Sequence, residues 1–406
     1  VTPSIEDLLR AEAPQVLGAL VRRFGHFDIA EDAVQEALLS AARSWPVDGV
    51  PDNPRSRLIR IAYRRMIDML RADQARRRRE IDAATRAEPL RTAHHSDVDD
   101  SLTLLLLCCH PALGMAAQVA LTLRAVGGLT TAEIAHAYGT TEATMGTRIS
   151  RAKQQLAKAG ARFTPPTDAD RDQRLAAVLH ALYLIFNEGY TATTGGELVR
   201  VDLTAEAVRV TRMLHDTAPG DAEVTGLLAL MLLTESRRAA RTHAGELVPL
   251  DEQNPAHWNH SLIEEGTALI DSVWNHGPAG PYQIQAAIAA LHAMGAPGET
   301  DWPQIALLYL WLERLTPTPP VQLARVVAVA HAYGPARGLA LLDDLNRRHH
   351  LDRNPLTQQR EHAVRAHLLQ QTGDRATATR LFRRAADLTS NTVEQRYLRA
   401  KADHPD

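Results

Sequence analysis

The chain is poor in cysteine and in aromatic residues. Its 406 residues include two cysteines, Cys108 and Cys109, adjacent in an apolar run and without a CxxC partner. That argues against a disulfide framework and a zinc site and suits a reducing compartment. Cys108, Cys109 and His110 are neighbours on one expected helix, do not converge on a common point, and read as core. Aromatic residues make up 4% of the chain and β-branched alternation is scarce, which leaves Ala, Leu and Arg to specify helices. No apolar run reaches the roughly 18 residues of a membrane span, and the N-terminal stretch is polar. Neither a span nor a signal peptide is expected, and the localisation read from this is cytoplasmic.

HExxH, GxSxG and P-loop spacings are missing. Asn187, Glu188, His257, His260, Glu264 and Glu265 are the residues that invite an enzymatic reading, with His260 and Glu264 at i, i+4. A metal hydrolase needs a further ligand and a base. Helix caps, buried hydrogen bonds and ion pairs account for these residues, so no enzyme, no cofactor and no metal is expected. Residues 280–283 (GPYQ) read as turn chemistry with a core Tyr rather than a ligand groove.

Charge is distributed unevenly. The net charge of −3 resolves into +2 over residues 1–160 and −5 over the remainder. Residues 24–52 hold six acids and one base, whereas residues 55–79 hold ten arginines and two acids. An acidic helix beside a basic one implies two different partners, one of them a polyanion. The acidic helix, residues 29–43, buries Val34, Ala37, Leu38 and Ala41 and shows Glu31, Asp32, Gln35 and Glu36 on its polar face. Trp45-Pro46 ends it, and residues 47–54 form a loop. The basic helix, residues 54–73, packs Leu58, Ile59, Ala62, Met66 and Leu70 inward. Arg57, Arg60, Arg64 and Arg71 then lie along one outer face, a row suited to phosphates or to solvent. Residues 72–98 show no apolar period and read as a mobile linker.

Residues 127–155, GGLTTAEIAHAYGTTEATMGTRISRAKQQ, read as a short helix, a tight turn at residues 138–141 and a longer helix from Glu142. Thr130 or Thr131 suits the first cap and Thr141 the second, and Gly139 suits the left-handed end of the first helix. Met145, Ile149, Ala152 and Leu156 form one buried stripe. The opposite side carries Ala143, Thr144, Thr147, Ser150, Arg151, Gln154 and Lys158, with Arg148 on the flank. An apolar stripe backed by hydroxyl, amide and cationic groups is what a helix in the major groove needs, the alternative being a helical hairpin with a solvated basic face.

Three segments in this order, IAEDAVQEALLSAARSWP, PDNPRSRLIRIAYRRMIDMLR and AQVALTLRAVGGLTTAEIAHAYGTTEATMGTRISRAKQQL, resemble an extracytoplasmic-function sigma factor of the sigma-70 family, over roughly residues 3–163. The resemblance implies region 2 at residues 1–73, a linker at 74–98 and region 4 at 99–164. It assigns Asp32, Gln35 and Glu36 to docking on the β′ clamp helices of RNA polymerase core, with the β flap as a second contact. Arg57, Arg60, Arg64, Arg65 and Arg71 match the face toward the −10 element, and the 47–54 loop the capture of an unpaired base. Thr144, Thr147, Arg148, Arg151 and Lys153 match contacts to the −35 element. Arg57, Arg64 and Gly146 depart from the family's usual Trp, Asn and longer polar residue, which leaves the −10 preference and one −35 contact open.

Residues 165–406 exceed what a minimal sigma factor needs. They begin at Pro165-Pro166 and an apolar helix at residues 172–188, suited to an intramolecular contact with the sigma half. Further helical segments fall near residues 203–215, 221–235 and 262–273. Gly295, Gly334 and Gly373 are spaced 39 and 39 residues apart, each between two apolar helices. This resembles tetratricopeptide repeats at about residues 281–400. The whole chain then resembles the sigma-factor subgroup with such an extension, which implies control in cis. The expected fold is all-α: two small helical sigma domains, the second with a helix-turn-helix, then a helical repeat domain. Expected partners are RNA polymerase core, promoter DNA and an unidentified protein or small-molecule signal on the repeats, with no membrane. A helix-turn-helix repressor with a solenoid sensor is the alternative, though it does not need the acidic–basic helix pair.

Overall fold

The computed structural model describes residues 5–80, 100–138, 140–161, 168–294, 300–355 and 357–404. Gly139, Gly295, the Pro165-Pro166 junction and residues 81–98 of the expected linker lie outside them. The chain divides into two compact units, Val1–Leu184 and Ile185–Asp406, and regular structure in both is almost entirely α-helix. No helix among the described residues is long and apolar enough to cross a membrane.

Unit 1 opens with α1 (Ile5–Phe24), α2 (Phe27–Asp48) and α3 (Pro54–Glu80), which pack against one another. Val16, Leu17 and Leu20 of α1, Val34, Ala37 and Ala41 of α2, and Leu58, Ala62 and Met66 of α3 are all buried. The spacings of 3 and 4 that predict these helices also decide which face turns inward. α2 runs through Trp45 and Pro46 to Asp48, two residues past the expected stop. Asn53 accepts from the Ser56 amide at 2.9 Å and caps α3. α3 continues to Glu80, so residues 74–80, read as the start of the linker, are helical. They contain Ala, Gln, Arg and Glu but neither Gly nor Pro, and nothing local stops the helix.

The second half of the unit contains α4 (Ser101–Cys108), α5 (Met115–Ala125), α6 (Thr131–Ala137) and α7 (Glu142–Lys158). Cys108 and Cys109 are fully buried free thiols, and burial pushes the Cys109 thiol up to about 12. α1 also packs on α4 and α5. A Cβ at Gly18 would lie 2.4 Å from Asp100 Cβ, and the Asp100 carboxylate accepts from Arg22 at 3.0 Å.

α8 (Asp168–Tyr190) contains the division between the units. Unit 2 then comprises α9 (Val201–Thr217), α10 (Ala222–Glu235), α11 (His260–Val273), α12 (Pro281–Met294), α13 (Trp302–Leu315), α14 (Pro319–Tyr333), α15 (Pro335–His349), α16 (Gln358–Gln371), α17 (Arg375–Leu388) and α18 (Thr392–Asp403). From α10 onward each helix packs on its predecessor, the arrangement of a helical solenoid. Gly334 and Gly373 occupy the turns between α14 and α15 and between α16 and α17, with φ of 96° and 92°. A side chain rarely tolerates that conformation, which explains glycine at the repeat spacing. Gly280 precedes α12 and residues 281–283 form its first turn, where Glu223 accepts from the Tyr282 and Gln283 amides at 3.1 Å each; Tyr282, expected in the core, is half-buried.

The end of unit 2 returns to its beginning. β1 (Thr194–Gly195) pairs in parallel with β4 (Ser390–Asn391). The buried Asn391 amide donates to Ala192 O at 2.9 Å and Glu197 O at 3.0 Å. Arg396 on α18 pairs at 2.9 Å with Glu246, on a short hairpin of β2 (Thr242–His243) and β3 (Glu246–Leu247). An open row of repeats is thereby tied end to end.

At the crossing of α10 and α12, a Cβ at Gly226 would lie 2.7 Å from the Gln283 backbone nitrogen. Gly226→Ala is expected to lower stability by about 1–3 kcal/mol, read as an earlier urea midpoint. An unchanged midpoint would show that the crossing is not tight.

Candidate nucleic-acid interface

The helix-turn-helix is built from reciprocal caps. Thr130 Oγ1 accepts from the Glu133 amide at 3.1 Å, while Glu133 Oε2 accepts from the Thr130 amide at 2.6 Å. This capping box fixes the start of α6 and selects Thr130 over Thr131. Thr141 caps α7, accepting from the Thr144 amide at 3.2 Å. Met145, Ile149, Ala152 and Leu156 are all buried, so the opposite face of α7 is turned outward. Thr144, Thr147 and Arg151 are exposed and Arg148 is half-buried. The Thr144 hydroxyl is hydrogen-bonded to Thr141 at 2.8 Å, and the Thr147 hydroxyl donates to Ala143 O at 2.9 Å. Both hydroxyls keep acceptor capacity, and Arg151 presents an outward guanidinium.

On α3, Arg57, Arg60, Arg64, Arg65 and Arg71 are exposed. Arg65 lies 3.4 Å from Glu36 on α2, and the other four have no ion-pair partner among the described residues. Asp32 and Glu36 of α2 are exposed and Gln35 is half-buried.

Glu31 behaves differently from its neighbours. It is 1% exposed, with Arg124 Nε at 2.7 Å and Lys153 Nζ at 2.5 Å from its two oxygens. Both oxygens of the buried carboxylate are thereby paired with cations. Lys153 also donates to Asp32 Oδ1 at 2.9 Å. Burial alone would pull the Lys153 ammonium down, but the two carboxylates together outweigh it and hold its pKa above the usual lysine value. The structure therefore brings Asp32 and Lys153, read as parts of two separate surfaces, into one ion pair. Sequence reasoning placed Glu31 on the solvated face and overlooked Arg124. Glu31 stands four residues after Phe27 and three before Val34, both buried, and that apolar spacing was the available signal.

Of the residues that invite an enzymatic reading, His257, His260 and Glu264 are exposed, and two have side-chain partners. Glu188 accepts from Thr193 at 3.0 Å, and Glu265 is in a bidentate pair with Arg212 that lowers its pKa.

Removing one partner of a buried pair leaves an uncompensated charge. Glu31→Ala is expected to cost about 3–5 kcal/mol of unit 1 stability, measured by urea unfolding, whereas Glu36→Ala, on an exposed pair, should cost about 0–1 kcal/mol. Equal effects of the two substitutions would contradict the assignment.

Comparison with known proteins follows the same divisions. Residues 8–77 match the model of sigma-70 region 2, and residues 103–156 that of sigma-70 region 4. Residues 174–274 match a family of unknown function, DUF6596. An uncharacterized protein of Rhizobium meliloti (strain 1021) is 42% identical over 415 residues, covering 98% of this chain and 95% of that protein. No solved structure matches the chain. With region 2 on α1–α3, region 4 on α4–α7 and a helical extension behind them, the chain belongs to the extracytoplasmic-function sigma factors of the sigma-70 family.

Proposed function

We propose that the chain directs RNA polymerase core to a specific set of promoters and initiates transcription there, under control in cis by its helical extension. The observation that carries the reading is the presence in one chain of regions 2 and 4 with two separate outward cationic faces, the arginine row of α3 and the outer face of α7. The polymerase supplies the nucleotidyl chemistry. This chain supplies position: Asp32, Gln35 and Glu36 engage the β′ clamp helices, and region 4 reaches the β flap. Arg57, Arg60, Arg64, Arg65 and Arg71 follow the strand at the −10 element, and Thr144, Thr147, Arg148 and Arg151 read the −35 element. An arginine bidentate to guanine O6 and N7 contributes about 1–3 kcal/mol of discrimination.

Lys153 belongs to the same reading with a condition attached. It contacts −35 DNA once it is released from Glu31 and Asp32, and a basic partner drawing on Asp32 favours that release. Docking and promoter reading are then coupled, because one carboxylate serves the latch and the clamp. The extension acts on the sigma half in cis.

Two substitutive tests separate these parts. Arg151→Ala should reduce −35-dependent run-off transcription by roughly tenfold while leaving the affinity for core unchanged; undiminished output would remove Arg151 from the readout. A chain ending at residue 165 should give a promoter output different from that of the full chain, and identical outputs would exclude control in cis.

A further inference from the structure

Charge in unit 2 is split along the chain. Residues 185–334 hold 17 acids and 8 bases, whereas residues 335–406 hold 13 bases and 9 acids. All of those later bases except Lys401 are arginines. The last helices of the solenoid are therefore a cationic end on an acidic body.

On α17 the apolar spacing decides which side faces out. Ala378, Phe382, Ala385 and Ala386 are buried, so Arg380, Arg383 and Arg384 come to the opposite side, where all three are exposed. α18 continues that surface with the exposed Arg399. Two ion pairs cross between the helices, Arg383 to Asp403 at 3.2 Å and Arg399 to Asp387 at 3.8 Å. Both pairs are more than half exposed, and pairs of that kind are worth about 0–1 kcal/mol, so a stronger anion can displace them. Arg396, at the margin, is taken up by Glu246. Arg380 and Arg384 have no ion-pair partner among the described residues. They stand one helical turn apart, about 6 Å, so both guanidiniums reach one phosphate strand.

A polyanion is the partner such a face fits, and chain order says which one. Region 4 contains the −35 helix α7, and only α8 lies between α7 and α9. A solenoid tethered there is held at the upstream end of the promoter, beside duplex that regions 2 and 4 do not cover, and the tether raises its local concentration. Duplex phosphates are regular and independent of sequence, which suits a face built of arginines alone. The acidic body formed by residues 185–334 is repelled by the same phosphates, and this orients α17 and α18 toward them.

We propose that the α17–α18 face of unit 2 binds the phosphate backbone of duplex DNA upstream of the −35 element, through Arg380, Arg383, Arg384 and Arg399. It is a third DNA contact of the chain, separate from the α3 row and the outer face of α7. The location rests on the promoter-directing reading, whereas the binding itself does not. The contact carries no sequence preference and adds affinity that falls with salt.

The test compares the full chain with a variant combining Arg380→Ala, Arg384→Ala and Arg399→Ala, whose circular dichroism melt establishes that it folds. Each is first titrated without core against a duplex of arbitrary sequence between about 50 and 200 mM salt. The variant should bind about tenfold more weakly at the low-salt end, with a log–log salt slope shallower by about 2–3. Equal affinities and equal slopes overturn the proposal, whatever the chain does at promoters. Holoenzyme is then bound to a promoter fragment that ends at the −35 element and to one that continues about two helical turns upstream. The unaltered chain should prefer the longer fragment severalfold more than the variant does, with the two alike on the short one. The same preference in both overturns the proposal. So does a variant that loses affinity for core instead, which would make the face a protein contact. Promoter binding by neither form removes the promoter-directing reading and overturns the upstream location, and the duplex titration by itself then decides whether the face holds DNA.

Discussion

Unit 1 depends on one buried carboxylate. Glu31 is out of water, and a charge in that position costs several kcal/mol unless cations come to it. Arg124 from α5 and Lys153 from α7 do so, which ties the acidic helix of region 2 to the helix-turn-helix. The remaining features follow from that tie. Asp32, one residue on, shares Lys153 while staying exposed to solvent. The outer face of α7, with Arg151 and Thr147, stays outward because the Met145–Leu156 stripe and Lys153 take up the other side. Side chains of regions 2 and 4 thus meet at one ion-pair cluster.

Unit 2 is organised by neighbour-to-neighbour burial. Separate apolar clusters form along the solenoid, one around Ile284, Ile305 and Leu312, one around Val326, Leu342 and Leu368, and one around Phe382 and Leu398. Each helix pair buries its apolar face only against the next, as repeats do. Asn391 then joins the last turn to the first loop through two carbonyls nearly two hundred residues earlier. Histidines from three alternate helices, α12, α14 and α16, gather with aromatics from the pre-α11 loop and α18 around one pocket. His292 and His331 stand one repeat of 39 residues apart, and His367 follows on the next equivalent helix, one turn short of that spacing.

Much of this was readable from the chain alone, and the exceptions share a cause. The helices, the caps at Thr130 and Thr141, and the repeat glycines Gly334 and Gly373 depend on contacts within a few residues, and local spacing reports those. The exposed arginine row of α3 and the buried stripe of α7 were likewise local. Glu31 was misplaced because its partners stand 93 and 122 residues away, beyond the reach of periodicity. The same distance hid the Lys153 ion pair and the β1–β4 closure. α3 outran its expected end because a run of arginines reads as solvated charge whether or not the backbone beneath it is helical. Roles at single residues, in contrast, came through family likeness, not geometry, and Arg148 and Arg151 carry theirs on that ground.

The central claim is promoter direction, and one measurement tests it most directly: run-off transcription by bacterial core polymerase over a library of promoter fragments, with and without this protein. New start sites that depend on the protein, sharing −35 and −10 sequences, are the predicted result. Silence from the full chain and from a chain lacking residues 166–406, together with absent binding to core, would contradict it.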